Sequence, residues 1–401
     1  MPETSTSTVS AVRHHLMRIL LTIHHDLDPD SGAPGVTLRL ADEYRRFGHQ
    51  VDVLGFGRIL PARLPEQAKM VAFPSAVAGW LASVGTRRRF DVIDASTGDA
   101  SVVGALRRTM PAGVRRALLV ARSHGLEHSM ADRRRAEAEA GGDPLSWRYP
   151  LYHGGYRLWE VARSLRSADV ALFLNQEDRT IAMDRLGVAS HRACVVRNGI
   201  SETLIGLPAP EPAGSGGRIA VIGTYIAMKG IAHGAAALNA WLPSHPDWCV
   251  TFLGTGVPAG RVLADYDPGL HERIAVVERY ANSELPQHLK GHQVLLLPTL
   301  SEGFGLALVE AMACGLAPVT SAVPGPASIV TDGHDGLLVR PAVPEAIVAA
   351  LDRLAVGDGV LDRLRTQAHL TAQSYGWAAV AREQLCIYEE FLERDGRKDN
   401  A

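Results

Sequence analysis

The sequence predicts an α/β protein of two facing, doubly wound domains with a central cleft. Three observations predict it. The chain has 401 residues, above the roughly 100–200 of a single domain. Short apolar segments alternate with helical patterns along most of its length, as in parallel sheets covered by helices. One Pro- and Gly-rich stretch, Leu207–Gly217 (LPAPEPAGSGG), interrupts the alternation, which then restarts.

The expected boundaries follow from that pattern. Residues 1–15 are polar and low in complexity, and read as a disordered leader. Residues 16–206 form the first domain, 207–217 the linker, 218–375 the second domain and 376–401 a terminal helix.

In the first half, Met17–Ile23 is apolar and reads as a buried strand. A turn rich in Asp, Pro and Gly follows. Val36, Leu40, Tyr44 and Phe47 then recur at helical spacing, and Gly48 ends the helix. Val51–Leu54 closes a strand–helix–strand unit. Asp91–Asp94, Ala117–Ala121, Val170–Leu174 and Cys194–Val196 read as further strands, with a charged helix around Ala131–Ala140 that reads as solvated and placed to lie over a cleft. Arg58–Arg89 shows no readable period. In the second half the strands are Ile219–Ile222, Val250–Leu253, Ile274–Val277, Val294–Leu297, Val319–Thr320 and Leu337–Val339. Ala235–Trp241 and the stretch from Gly305 to Ala313 read as helices. Ligands of such sheets sit at the carboxyl ends of the strands, so the cleft between the halves is the expected site.

Composition narrows the function. Hydrophobic residues make up 46% and charged residues 21%, which excludes a disordered or fibrous chain. Forty-one basic residues against 43 acidic ones leave a net charge of −2, too little field to hold a nucleic acid. The four cysteines, Cys194, Cys249, Cys314 and Cys386, lack metal or disulfide spacing and suit a reducing cytoplasm. No apolar run approaches the roughly 20 residues of a membrane-crossing helix, which leaves only peripheral membrane contact open.

Five segments carry chemistry. Ser301–Gly315 (SEGFGLALVEAMACG) follows an apolar strand. Gly303, Phe304 and Gly305 there expose backbone donors at a helix start, where an anion or a sugar ring is favoured. Glu302 stands at that mouth and Glu310 lower on the helix, with seven residues between them. Two carboxylates so placed suit two hydroxyl-bearing rings joined by a diphosphate. In Ile222–Gly230 (IGTYIAMKG), Lys229 is placed to meet phosphate oxygens, but no Gly-Lys-Ser/Thr follows, so this is not a Walker loop. Gly32 and Gly35 lie at the first strand-to-helix turn, without the spacing of a dinucleotide fingerprint. His124 follows the strand Ala117–Ala121, in a loop facing the cleft. Asn198-Gly199 ends a strand just before the linker, as a turn or a hinge. Each has a plainer reading: a capped helix, a solvated lysine, a tight turn, a structural histidine.

Together these segments resemble a glycosyltransferase of the GT-B fold, family 4, a retaining family that uses nucleotide-sugar donors. The run LLLPTLSEGFGLALVEAMACGLAPVTSAVPG, from Leu295 to Gly325, carries most of the likeness. The resemblance implies two Rossmann-like domains and a helix after Tyr375-Gly376-Trp377 that crosses back to the first domain. It implies catalytic roles for His124, Glu302 and Lys229. Gly32, Gly35, Thr224, Lys229, Gly303, Phe304, Gly305, Leu306 and Glu310 would bind the donor, with Glu310 on the ribose and Lys229 on the diphosphate. Asn198 and Gly199 would form the hinge. No cofactor or metal is implied, the nucleotide-sugar being a co-substrate. One position departs: Thr224 stands where the family usually carries an arginine. The expected reaction moves a sugar from a UDP-sugar, or a GDP-sugar, to a hydroxyl of a glycan, lipid or secondary metabolite. The competing readings are a nucleotide-sugar 2-epimerase and a non-catalytic nucleotide-binding scaffold.

Overall fold

A computed structural model describes residues 16–29, 31–139, 144–213, 216–357, 359–394 and 396. The expected leader, residues 1–15, lies outside the described residues, as do residues 214 and 215 of the linker and most of the chain after Arg394.

The first sheet has six parallel strands: β1 (Arg18–Thr22), β2 (Gln50–Leu54), β3 (Val92–Ser96), β4 (Leu118–Arg122), β5 (Val170–Phe173) and β6 (Ala193–Val195). Their order is β2-β1-β3-β4-β5-β6. The second sheet is also six-stranded and parallel: β7 (Gly217–Ile222), β8 (Trp248–Leu253), β9 (Ile274–Val277), β10 (Val294–Leu297), β11 (Ala317–Ser321) and β12 (Leu337–Val339). Its order is β12-β11-β10-β7-β8-β9. Central strands such as β4, β10 and β11 are buried along their whole length, because helices cover both faces of each sheet. In each sheet the strand order reverses once, between β1 and β3 and between β7 and β10. A crevice opens at the carboxyl ends at such a point, so the loops after β1, β7 and β10 are the ones the topology offers to a ligand.

The helices that position the site are α1 (Gly32–Arg46), α2 (Glu66–Val84), α3 (Glu127–Glu139), α4 (Arg157–Ser167), α5 (Gln176–Leu186), α6 (Ile231–Trp241), α7 (Leu306–Ala313) and α8 (Trp377–Arg394). α1 starts four residues before the apolar period does. α2 occupies the stretch without a readable period: it is apolar nearly throughout and holds Pro74 inside it. α7 begins at Leu306, one residue after the expected start, because Gly305 takes a left-handed φ of 106°.

α8 crosses back onto the first domain and packs against α1. Its anchor is a buried polar cluster. Arg122 at the end of β4 donates to Asp94 of β3 at 2.5 Å, to Gln384 at 2.8 Å and to the Tyr388 hydroxyl at 3.0 Å. Tyr388 also donates to Asp94, and Tyr44 of α1 to Gln384. All five side chains are buried and bonded to one another, with Gln384 also donating to the Arg197 carbonyl, so the cluster fixes where α8 must lie.

Candidate active site

Lys229, Glu302 and His124 are placed by loops that follow strands of one sheet or the other. After β7, Gly223 turns the chain at a φ of 130° and a short 3₁₀ turn, Ala227–Lys229, presents Lys229. Gly230 follows in the left-handed region, and a Cβ there would lie 1.9 Å from the carbonyl oxygen of Pro298. Only glycine lets the Lys229 loop lie this close to the loop after β10. That proximity joins Lys229 Nζ to Glu302 Oε2 at 2.5 Å, with both side chains partly exposed.

Glu310 is the fifth residue of α7, a helix of sequence LALVEAMA that is buried nearly all round. The carboxyl is therefore desolvated, and burial raises its pKa above the usual carboxylate value. Asn282 donates to it at 3.5 Å, and the Arg39 guanidinium favours its ionised form.

A cavity of about 680 Å³ lies between the lobes. The second lobe lines it with Thr224, Lys229, Tyr280, Leu306 and Glu310; the first lobe adds Gly32, Gly35, Arg39 and Gly199. The N-terminal turn of α1, the Lys229 loop and Glu310 of α7 therefore share one space. Gly35 is required there by close approach, since a Cβ would lie 2.7 Å from the Pro29 carbonyl oxygen. Gly199 packs against Trp377, where a Cβ would lie 2.6 Å from the indole. Asn198 beside it is buried, with Oδ1 unbonded.

The lobes also meet directly. A Cβ on Gly303 would lie 2.9 Å from the Gly125 Cα and 3.0 Å from the His124 carbonyl oxygen. Asn175 Nδ2 donates to the Gly303 carbonyl at 2.9 Å, while its Oδ1 caps α5 by accepting from the Asp178 N–H. Arg133 of α3 bonds Ser301 at 3.4 Å and Glu177 at 2.8 Å. The charged helix, read as solvated and lying over a cleft, thus reaches the cleft through Arg133. Sequence reasoning missed Asn175 and Arg39. An Asn before Gln176-Glu177-Asp178 is legible as a helix cap, but nothing local signals its second bond across the cleft.

His124 lies in the loop after β4, and its Nε2 is buried without a hydrogen-bond partner. Desolvation, followed by the charges of Arg122, His24 and His25, lowers its pKa to about 3. Behind it, Arg157 Nη2 lies 2.9 Å from His24 Nε2. A guanidinium only donates, so His24 accepts at Nε2 and its proton sits on Nδ1, facing Asp99 Oδ1 at 3.1 Å. The buried side chain of Phe304 instead joins the core beside Tyr375, so only its backbone is available to a ligand.

The sequence holds Asp-x-Asp pairs at Asp26/Asp28, Asp28/Asp30 and Asp265/Asp267, a spacing that can serve a divalent cation. Asp265 is committed to Tyr225 and Arg261. Among the described residues no three His, Cys, Asp or Glu side chains converge on one point.

Residues 216–356 match the family described as glycosyl transferases group 1. The match falls on the second domain. The matched segment contains the Lys229 loop, Glu302 and Glu310. A D-inositol 3-phosphate glycosyltransferase of Streptomyces griseus subsp. griseus is 36% identical over 155 residues, 36% of this chain and 33% of that protein. The chain spans 24–33% of the length of the first curated relatives it matches. Sucrose-phosphate synthase from Thermosynechococcus elongatus superimposes with a TM-score of 0.75 at 18% identity, over 94% of this chain and all of that one. HepE of Anabaena, solved with UDP-glucose, gives a TM-score of 0.66 at 18% identity over 93% and 99% of the two chains. The first lobe completes the architecture, so the described residues have the GT-B fold. Among the described residues no helix is long and apolar enough to cross a membrane.

Proposed function

We propose that the protein is a retaining glycosyltransferase that moves a sugar from a nucleoside-diphosphate sugar, a UDP-sugar before a GDP-sugar, to a hydroxyl acceptor. The observation that carries this reading is the single cavity holding the α1 turn, Lys229 and the buried carboxyl of Glu310. A nucleotide-sugar has one group for each. Glu310 accepts from the ribose hydroxyls, Lys229 meets the diphosphate, and the Glu302–Gly305 loop receives the sugar. HepE, solved with UDP-glucose, supports a UDP donor.

In this reading the leaving diphosphate gains charge as the glycosidic bond breaks. Preorganised donors at Lys229 and the helix termini stabilise that charge. The desolvated His124 stays neutral and offers its unbonded Nε2 to a hydroxyl or carbonyl. Glu302, already paired with Lys229, orients the sugar and need not become a covalent nucleophile. The acceptor enters on the first-lobe side, where a second cavity of about 580 Å³ is lined by His25, Asp26, Phe56, Glu66 and Lys69. α2, which furnishes Glu66 and Lys69, belongs to that wall.

The test is donor turnover. UDP-glucose, UDP-galactose, UDP-N-acetylglucosamine and GDP-mannose are incubated with the protein and a panel of hydroxyl acceptors. Nucleoside diphosphate release is followed by anion-exchange chromatography, and the anomeric proton by NMR. Acceptor-dependent release with an unchanged anomeric configuration is expected. Inversion removes the retaining assignment, and epimerised donor formed without acceptor makes the protein an isomerase.

A further inference from the structure

We propose that Arg39 is a second cation of the diphosphate site and that the first lobe supplies it. The proposal rests on the sugar-nucleotide reading and extends it to how the charge clamp is built.

A diphosphate brings two or more negative charges into the cavity. At the Lys229 loop the second lobe offers one cation, and Lys229 is already bonded to Glu302 at 2.5 Å. Thr224, in the same loop and on the same cavity wall, carries no charge. Arg279 lines the cavity too, but it is exposed. Arg39 is half-buried on the 15-residue helix α1, which its neighbours Leu40 and Tyr44 hold in the core. Among the described residues its side chain has no hydrogen bond or ion pair. Its guanidinium nevertheless acts on the buried carboxyl of Glu310 on the opposite lobe, and both line one cavity. Five unused donors, held in reach of the carboxylate that takes the ribose, lie where the adjoining phosphates must pass.

α1 strengthens the case. Its first turn, Gly32–Gly35, lines the same cavity, so its positive end and Arg39 act on one ligand. Long side chains on a helix lean toward its N-terminus, which brings the guanidinium back toward that turn. The clamp is therefore split: Lys229 comes from one lobe and Arg39 from the other. It is complete only while the lobes are together, as they are where Gly125 meets Gly303. Closure then assembles the charge that stabilises the leaving group, and an open enzyme has little power to break the donor.

The experiment compares UDP with uridine by titration against wild type, Arg39→Gln, Arg39→Lys and Arg39→Gln/Thr224→Arg. Arg39→Gln should weaken UDP binding about 10- to 100-fold, the effect of one hydrogen bond to a charged group, and leave uridine binding unchanged. Arg39→Lys should recover part of the loss. Thr224→Arg in the Arg39→Gln background should recover UDP affinity from the other lobe. Equal weakening of UDP and uridine overturns the proposal, because Arg39 would then serve only the Glu310–ribose contact. UDP affinity unchanged in Arg39→Gln also overturns it. Wild-type protein that binds neither UDP nor GDP sinks the sugar-nucleotide reading itself, a result separable from the other two.

Discussion

Lys229 Nζ and Glu302 Oε2 stand 2.5 Å apart, each partly exposed to the cleft. In the proposed reading Lys229 serves the phosphate and Glu302 the sugar, and here the two neutralise each other. On that proposal a donor divides the pair, the phosphate taking the lysine and the sugar hydroxyls the carboxylate. The charge on Lys229 is then worth most when the leaving phosphate is most negative.

Lys229→Ala should therefore lower kcat for donor turnover by about 10²–10³, more than it weakens ground-state donor binding. Steady-state kinetics beside titration with the nucleoside diphosphate separates the two effects. Wild-type kcat in a folded Lys229→Ala enzyme contradicts the phosphate role. Glu302→Gln, which frees the lysine, should tighten free UDP while slowing transfer.

Glu310→Ala should cost about 1–3 kcal/mol of nucleoside diphosphate affinity, the value of hydrogen bonds to a charged acceptor. Burial raises the Glu310 pKa, so its carboxyl takes up a proton at higher pH than an exposed glutamate, whose usual value is 4.5. UDP affinity should fall as pH drops through a window that begins above 4.5. Glu310→Gln should flatten that dependence in a pH series of titrations.

His124, with its pKa lowered to about 3, is expected to remain neutral at pH 5, where an exposed histidine is charged. The sign follows from the depressed value. The unfolded chain binds the proton near pH 6.5 and the folded chain does not, so this contribution to stability is present above 6.5 and is lost as pH falls toward 3. NMR titration of the ring nitrogens checks the first statement. The second predicts that His124→Asn loses less stability than wild type between pH 6.5 and 4.

The α8 anchor gives a stability prediction. Arg122→Met leaves Asp94 buried beside Tyr388 without its cation, which should cost about 3–5 kcal/mol in urea unfolding. Replacing Asp94 by Leu as well should return part of that loss, because no charge is then left unpaired. A single mutant as stable as wild type would mean that Gln384 and Tyr388 hold α8 without the pair.

All twelve strands were legible in the sequence within a few residues, because parallel strands are buried on both faces and read as short apolar runs. The Lys229 and Glu302 loops and the helix that carries Glu310 were legible for a similar reason, since each follows an apolar strand and a glycine marks its turn, whereas the terminal helix was expected from the family resemblance. α2 was not legible. It is apolar on too many sides to show a period, and Pro74 argues against a helix that the surrounding packing nevertheless imposes.

The sequence by itself determined the two sheets, the cleft between them and the carboxylates and lysine on its second wall. These follow from local rules: burial of apolar runs, the turn chemistry of glycine, the free donors of a helix start. Only the tertiary structure decided which residues of the first lobe meet that wall. The Asn175 bond to Gly303, the contact of Gly125 with Gly303, the reach of Arg39 to Glu310 and the desolvation of His124 join segments far apart in the chain. Their energies depend on distance and on excluded water, and a string of residues states neither until the two lobes face each other.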